Sequence, residues 1–263
     1  MKLSIIIVFW NVRELLKKCL ASIFIYNRDF DLDVIVIDNA SGDDTVKMVS
    51  REFPQVNLII NKINLGFAAA NNQGIRQATG DYLLLLNPDT EFIDHSFKTA
   101  IDFLSRDGQI GLLGCQLLNP NKTVQPSVRR FPSFWPIFLM FFKLPKILPN
   151  LSAINKYLAV DFDYRRCQTV EQVMGAFMLL KRGVIEKIGL LDENFFVWFE
   201  EVDFCLRVWQ AGYQVVYYPD TKVVHHGGQS FKQQQFIKKQ WLFFKSALIY
   251  FLKHGFLYPK IKK

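Results

Sequence analysis

Apolar runs alternate with amphipathic stretches through the first hundred residues of the chain. Residues 3–9 are apolar almost throughout and rich in β-branched side chains, the pattern of a strand buried on both faces. Residues 12–25 place Leu15, Leu16, Cys19, Leu20 and Ile23 at helical spacing. Residues 34–37 predict a short second strand ending at Asp38. Ser41-Gly42-Asp43-Asp44 offers a turn and an N-cap for a helix over 45–53. Residues 57–60 read as a third strand, and 68–78 as a small-residue helix closed by Gly80. A fourth strand, 82–86, runs into Asn87-Pro88-Asp89. Fully apolar strands separated by helices imply a parallel sheet covered on both faces, an α/β architecture. Ligands of such sheets bind beyond the carboxyl ends of the strands, where Asp38 and Asp89 lie.

The rhythm breaks over 119–170, where Pro120, Pro126, Pro132, Pro136, Pro145 and Pro149 punctuate Phe- and Lys-rich sequence. This stretch predicts an insert or lid inside one domain spanning 1–230. Residues 173–181 read as a strand, 197–212 as a helix with Gly212 near its end, and 214–218 as another strand. Residues 231–254 predict a long, basic, aromatic, amphipathic helix inside a C-terminal segment, 231–263.

Composition narrows the classes. Half of the 263 residues are hydrophobic and 21% are charged, which excludes wholesale disorder. A net charge of +8 favours anionic partners such as phosphate esters or acidic lipid. The four cysteines lie far apart without a CxxC pair, which argues against a disulfide scaffold or zinc ribbon and fits a reducing compartment. The N-terminal apolar run is short, only Lys2 precedes it, and no small-x-small site follows, so it reads as a strand rather than a signal peptide. No segment reaches the ~20 apolar residues of a spanning helix. The nearest, 134–142 and 241–252, suit lying on a membrane. The expectation is a cytoplasmic protein, peripheral on an anionic membrane face.

Three groups of residues could carry chemistry. Asp38 and Asp89 sit at strand ends, where each either caps the next turn or faces a ligand; Asp89 in the second reading reaches a divalent cation. Glu200, Glu201 and Asp203 crowd a helix start, which suits the helix dipole. Asp203 and Arg207 form an i,i+4 pair, so an ordinary salt bridge stands beside a catalytic role. Glu200 and Glu201 follow the apolar run Phe195-Phe196-Val197-Trp198-Phe199, a setting that raises a carboxylate pKa toward that of a general base. His225 and His226 follow a strand and precede Gly227-Gly228. Strand alternation lets only one of them face a site.

In order and spacing these pieces resemble glycosyltransferase family 2, the inverting nucleotide-sugar transferases of GT-A fold. The blocks are Val8-Phe9-Trp10-Asn11; Asp38-Asn39-Ala40-Ser41; Asn64-Leu65-Gly66-Phe67 through Asn72 and Gly74; Leu86-Asn87-Pro88-Asp89-Thr90; Gly175-Ala176-Phe177-Met178; Gly189 through Glu193 to Glu201, Asp203 and Arg207; and His225 to Ser230. The stretch 124–132 is similar to that of a rhamnosyltransferase branch that often uses polyprenyl-diphosphate-linked acceptors. The resemblance implies donor binding by Phe9, Asn11, Asp38, Asn64, Gly66, Asn72, Gly74 and Asn87. It implies Mg²⁺ or Mn²⁺ held by Asp89 and His225, with Asn87 at the first position of the family's DxD. Glu201 takes the base position, with Glu200 as the alternative, and Asp203 joins the catalytic set. Arg130 and Trp198 fall on the acceptor side. The implied reaction moves a sugar, with rhamnose one candidate, from a dTDP- or UDP-sugar to a hydroxyl acceptor, a lipid-linked or other saccharide of cell-surface polysaccharide synthesis.

Two other classes compete. A sugar nucleotidyltransferase would want a Gly-rich basic loop after the first strand, where Asn11-Val12-Arg13-Glu14 stands. A nucleic-acid-binding protein would expose its aromatics among Gly and Arg; here they cluster in apolar or amphipathic runs, so no nucleic-acid partner is expected.

Overall fold

A computed structural model describes residues 2–141, 151–227, 236–259 and 261. Its first part is a regular βα alternation: β1 (Lys2–Phe9), α1 (Arg13–Tyr26), β2 (Asp31–Asp38), α2 (Thr45–Glu52), β3 (Asn57–Ile60), α3 (Phe67–Gln77) and β4 (Tyr82–Leu86). There follow β5 (Thr90–Phe92), α4 (Phe97–Arg106), β6 (Ile110–Leu118) and β7 (Val128–Arg129), then α5 (Phe134–Phe141) and α6 (Ser152–Tyr157). The last group is β8 (Gln168–Val170), β9 (Gln172–Val173), β10 (Phe177–Lys181), α7 (Arg182–Ile188), α8 (Glu200–Gln210), β11 (Gln214–His225) and α9 (Phe236–His254).

Among the described residues the main sheet has nine strands in the order β3-β2-β1-β4-β10-β6-β11-β5, with β8 also paired to β11. Strands β3, β2, β1 and β4 run parallel. Strand β10 runs antiparallel to β4 and β6, while β6 and β11 are parallel. Alternation along the strands divides the core in two. Ile5, Ile7, Leu84 and Leu86 pack under α1, α2 and α4. Ile6, Val8, Leu83 and Leu85 pack under α3, α7, α8 and α9. Truncating a fully buried Ile6 or Leu84 to Ala would cost about 2–5 kcal/mol.

The N-terminal elements match the hydropathy pattern closely, and three later ones differ. The strand expected over 173–181 is split. Val173 leaves the main sheet to pair with Val128 of the insert, and residues 174–176 cross between the two sheets. The helix expected from 197 begins at Glu200, because Trp198 (φ 63°) and Phe199 (φ 69°) are left-handed. The strand expected to end at 218 continues to His225 past an irregular register between Tyr218 and Lys222. In the 119–170 insert, the structure describes β7, α5 and α6; residues 142–150 lie outside the described set. The C-terminal helix is described from Phe236, so its expected first residues, 231–235, also lie outside it.

Candidate active site

Strand order reverses around β1: the chain moves outward through β2 and β3, then returns to add β4 on the other side. At that switch point a cavity of about 360 Å³ opens beyond the carboxyl ends of β1 and β4. Phe9 and Trp10 follow from β1, Asn87, Pro88 and Asp89 from β4, and Met174, Gly175 and Ala176 from the crossing between β9 and β10. Asn64, Gly66 and Phe67 come from the start of α3, Phe196 to Trp198 from the loop before α8, and His225 from the end of β11.

Asn39, buried in this wall, organises it. Its Nδ2 donates to Asn64 Oδ1 (3.0 Å) and Gly66 O (3.1 Å), and its Oδ1 accepts from Leu65 N (2.9 Å). Gly66 has a positive φ of 87°, and a Cβ there would stand 2.5 Å from Phe196 O. Only glycine lets the loop before α8 lie this close to the start of α3.

Asp89 and His225 form the polar corner. Strand β11 places His225 opposite Thr90, and His226 N donates to Asp89 O (2.9 Å). His226 itself turns away to Glu91, Nε2 to Oε1 2.7 Å, so a single imidazole faces the cavity as strand alternation requires. His225 Nδ1 lies 2.6 Å from Gln125 Oε1. Gln125 Nε2 donates to Asn119 Oδ1 (3.0 Å) and His225 O (3.3 Å), which fixes its Oε1 toward the ring. That arrangement lets Nδ1 donate to Gln125 and sets Nε2 3.3 Å from Asp89 Oδ1. An imidazole nitrogen and a carboxylate oxygen converging at that spacing suit a divalent cation, with Gln125 orienting the ligand. Among the described residues no group of three or more His, Cys, Asp or Glu side chains is placed to hold a metal ion by itself. The remaining ligands of such an ion would be diphosphate oxygens and water, the usual arrangement for Mg²⁺.

Glu200 and Glu201 line the same cavity. Each has a buried Oε2 without a hydrogen-bond partner among the described residues. Burial, and then the charge of Glu201, push the Glu200 carboxyl well above the usual carboxylate range. Burial also raises Glu201, but backbone amides at Glu201, Val202 and Phe199 oppose it. Both carboxyls are thus held toward the neutral form, and the two protons are coupled. The left-handed residues Trp198 and Phe199 aim this helix start, at a cost of about 1–3 kcal/mol each. Asp203 N donating to Phe199 O (2.8 Å) and Ser246 Oγ donating to Val197 O (2.7 Å) hold the bend.

Of the residues singled out in the sequence, the cavity gathers Phe9, Asn64, Gly66, Asn87, Asp89, Trp198, Glu200, Glu201 and His225. Six lie elsewhere. Asp203 is fully buried and held by Arg207 (2.8 Å), Lys253 (2.7 Å) and His254 (2.7 Å), which ties α9 to α8. Asn72 binds Leu191 O (2.8 Å) and Glu193 Oε1 (2.9 Å), anchoring the segment before α8. Gly74 lets α3 lie on the sheet, since a Cβ there would stand 2.5 Å from Ile6 Cγ2. Asp38 Oδ1 accepts from Ser41 N (2.9 Å), and Asn11 Oδ1 accepts from Gly42 N (2.7 Å), so both shape the adjoining loop. Arg130 pairs with Asp161 (2.7 Å) beside a different cavity. Gln125 and Asn39 were not singled out. An Asn beside Asp38 at a strand end carried a signal for the second; nothing local to Gln125 pointed to a histidine a hundred residues away.

Residues 4–189 match the family model described as "Glycosyl transferase family 2", more than two thirds of the chain. The chain belongs to glycosyl transferase family 2. The transferase is 27% identical over 243 residues to the N-acetylglucosaminyl-diphospho-decaprenol L-rhamnosyltransferase of Mycobacterium tuberculosis, covering 87% of this chain and 77% of that one. It is 24% identical over 267 residues to the rhamnosyltransferase WbbL of Escherichia coli K12, covering 98% and 93%. Among solved structures it is similar to GalNAc-T7 with UDP, GalNAc and Mn²⁺ (TM-score 0.66, 18% identity, 85% of this chain and 43% of that one). It is also similar to a mannosyltransferase of Pyrobaculum calidifontis with GDP-Man and Mn²⁺ (TM-score 0.58, 18% identity, 97% and 76%). At such identities the structural likeness concerns the fold, which is the expected GT-A arrangement.

Proposed function

We propose that the transferase moves rhamnose, with inversion, from dTDP- or UDP-rhamnose to a sugar hydroxyl of a lipid-diphosphate-linked acceptor. The carrying observation is that the Asp89–His225 pair and the Glu201 carboxylate line one cavity. The M. tuberculosis and E. coli relatives support the sugar, and the first supports the acceptor class.

In this reading Phe9, Asn64 and Gly66 receive the nucleoside end of the donor. Asp89 and His225 hold Mg²⁺ or Mn²⁺ against the diphosphate, with Asn87 alongside. Such an ion, when bound, neutralises the leaving-group charge as a Lewis acid. Glu201 accepts the proton of the acceptor hydroxyl as that oxygen attacks the anomeric carbon and the diphosphate leaves. Burial and the neighbouring Glu201 charge push Glu200 toward its neutral form, which keeps a second charge out of the site. A single displacement inverts the anomeric centre and needs no covalent nucleophile.

No helix of the described residues is long and apolar enough to cross a membrane. Helix α9 instead packs one face inward through Ala247, Tyr250 and Phe251, and exposes Ile237 (81%), Trp241 (63%) and Leu252 (70%). Residues 231–263 contain no Asp or Glu. This face would dock on an anionic membrane where a lipid-linked acceptor resides.

The test is turnover of a panel of dTDP-, UDP- and GDP-sugars with Mg²⁺ or Mn²⁺. Turnover of a dTDP- or UDP-sugar that stops with EDTA and returns with added metal is expected. Turnover unaffected by EDTA would remove the metal assignment, and oligonucleotide binding without sugar-nucleotide turnover would remove the reading.

A further inference from the structure

Helices α5 and α9 do not close against each other. Their rings meet at Phe134–Phe251 (centroids 5.9 Å) and Phe141–Phe244 (5.5 Å). Between them lies a third cavity, of about 140 Å³, whose lining side chains among the described residues are all apolar. An apolar cavity of about 150 Å³ stays dry and takes a benzene-sized hydrocarbon. That is the size of one branched five-carbon unit. The cavity has a mouth: Phe138, Phe244, Leu248 and Phe256 line it and remain exposed.

Its position relative to the catalytic cavity gives it meaning. Phe243 lines the apolar cavity and packs on Trp198 (6.0 Å) and Phe199 (5.5 Å). Trp198 lines the catalytic cavity, and Phe199 immediately precedes Glu200. One aromatic layer thus separates the two spaces. We propose that the α5–α9 cavity is the subsite for the first isoprenoid unit of the acceptor's lipid, seating the start of the tail while its sugar reaches Glu201. This rests on the acceptor class proposed above. The wall chemistry favours such an occupant over a peptide, because the cavity offers no polar side chain to meet an amide. Lys238 and Lys245 on the exposed part of α9, with no acid anywhere in 231–263, suit a lipid that carries a diphosphate.

The test uses N-acetylglucosaminyl diphosphates with methyl, one-, two- and three-isoprene tails, kept below micellar concentrations and free of detergent. With the full chain, KM for the acceptor should fall by about tenfold or more from the methyl to the one-isoprene tail, as each buried carbon adds transfer free energy, and change less with each further unit. Leu248→Trp, and independently Ala247→Phe, should fill the cavity and reduce that dependence to less than about threefold. A KM that ignores tail length in the wild type overturns the inference while leaving the proposed function standing. Folded variants that keep the full dependence overturn it as well. A dimer closed through this face, with no tail dependence, would show that a second copy is the occupant. Transfer to none of the acceptors with any donor would overturn the acceptor class and this inference together.

Discussion

The first turn of α8 carries three acids, Glu200, Glu201 and Asp203, and the fold gives them opposite fates. Glu200 and Glu201 face a cavity walled by aromatic and aliphatic groups and keep carboxylate oxygens without partners. Asp203 faces α9 and meets three cationic or ring N–H groups within 2.8 Å. Burial alone would raise Asp203; His254, Arg207 and Lys253 outweigh it and bring the carboxyl down to about 2. The same residue chemistry is therefore poised to take a proton on one face and fixed as an anion on the other. Orphaned carboxylates mark the reactive face, because a buried unpaired acid is retained only where something else needs it.

The largest expected effect separates the two faces by rate. Glu201→Gln should lower kcat by about 10²–10⁴ with donor binding nearly unchanged. Glu200→Gln, which mimics a protonated acid, should lose less than about tenfold. If the two losses are exchanged, the base is Glu200. Stability gives the next contrast. Asp203→Asn leaves Arg207 and Lys253 without their shared anion and should cost about 3–5 kcal/mol in denaturant titration. Loss of turnover without loss of stability in that variant would return Asp203 to the catalytic set.

The pH dependence of stability carries opposite signs for the two faces. The folded-state pKa of Asp203 is depressed to about 2, so its contribution is present above the unfolded value of about 3.9 and disappears as pH falls from there through about 2. For Glu200 the folded-state pKa is raised. The native state then holds a proton that the unfolded chain releases above about 4.3, and stability falls as pH rises. Glu200→Gln should consequently stabilise the protein at pH 8, on the order of 1 kcal/mol, and flatten the alkaline side of its stability profile. A variant no more stable than wild type at pH 8 would argue that the Glu200 carboxylate is solvated. The metal corner lies outside both faces and gives its own readout. Gln125→Leu removes the partner of His225 Nδ1 and should weaken metal activation by about 10–100-fold, read from the Mn²⁺ concentration giving half-maximal rate.

Legibility in the sequence followed the kind of contact involved. Strands β1 to β4 and helices α1 to α3 were readable because continuous apolar runs mark strands buried on both faces and helical spacing marks the segments between them. The ends of β1 and β4, and with them Phe9, Asn87 and Asp89, followed from that. Residues 197–199 looked helical because Val, Trp and Phe suit a helix. Their left-handed turn is imposed by Asp203 N on Phe199 O and by Ser246 of a distant helix on Val197 O. Asp203 showed the same limit. Its i,i+4 partner Arg207 was visible, but Lys253 and His254 arrive from α9, and they decide its role. Gln125 was hidden for a similar reason, since its partner lies a hundred residues away.

Glu201, raised by burial in a cavity shared with Asp89 and His225, is the proposed base. That role is tested most directly by the pH dependence of single-turnover transfer at saturating donor, acceptor and metal, in wild type and in Glu201→Gln. In wild type the rate should fall on the acid side through a pKa above that of an ordinary glutamate, about 4.3, because the carboxylate must be ionised to accept the proton. In Glu201→Gln the residual rate should be low and should lack that limb. A Glu201→Gln enzyme that keeps the wild-type rate and the same acid limb would contradict the account.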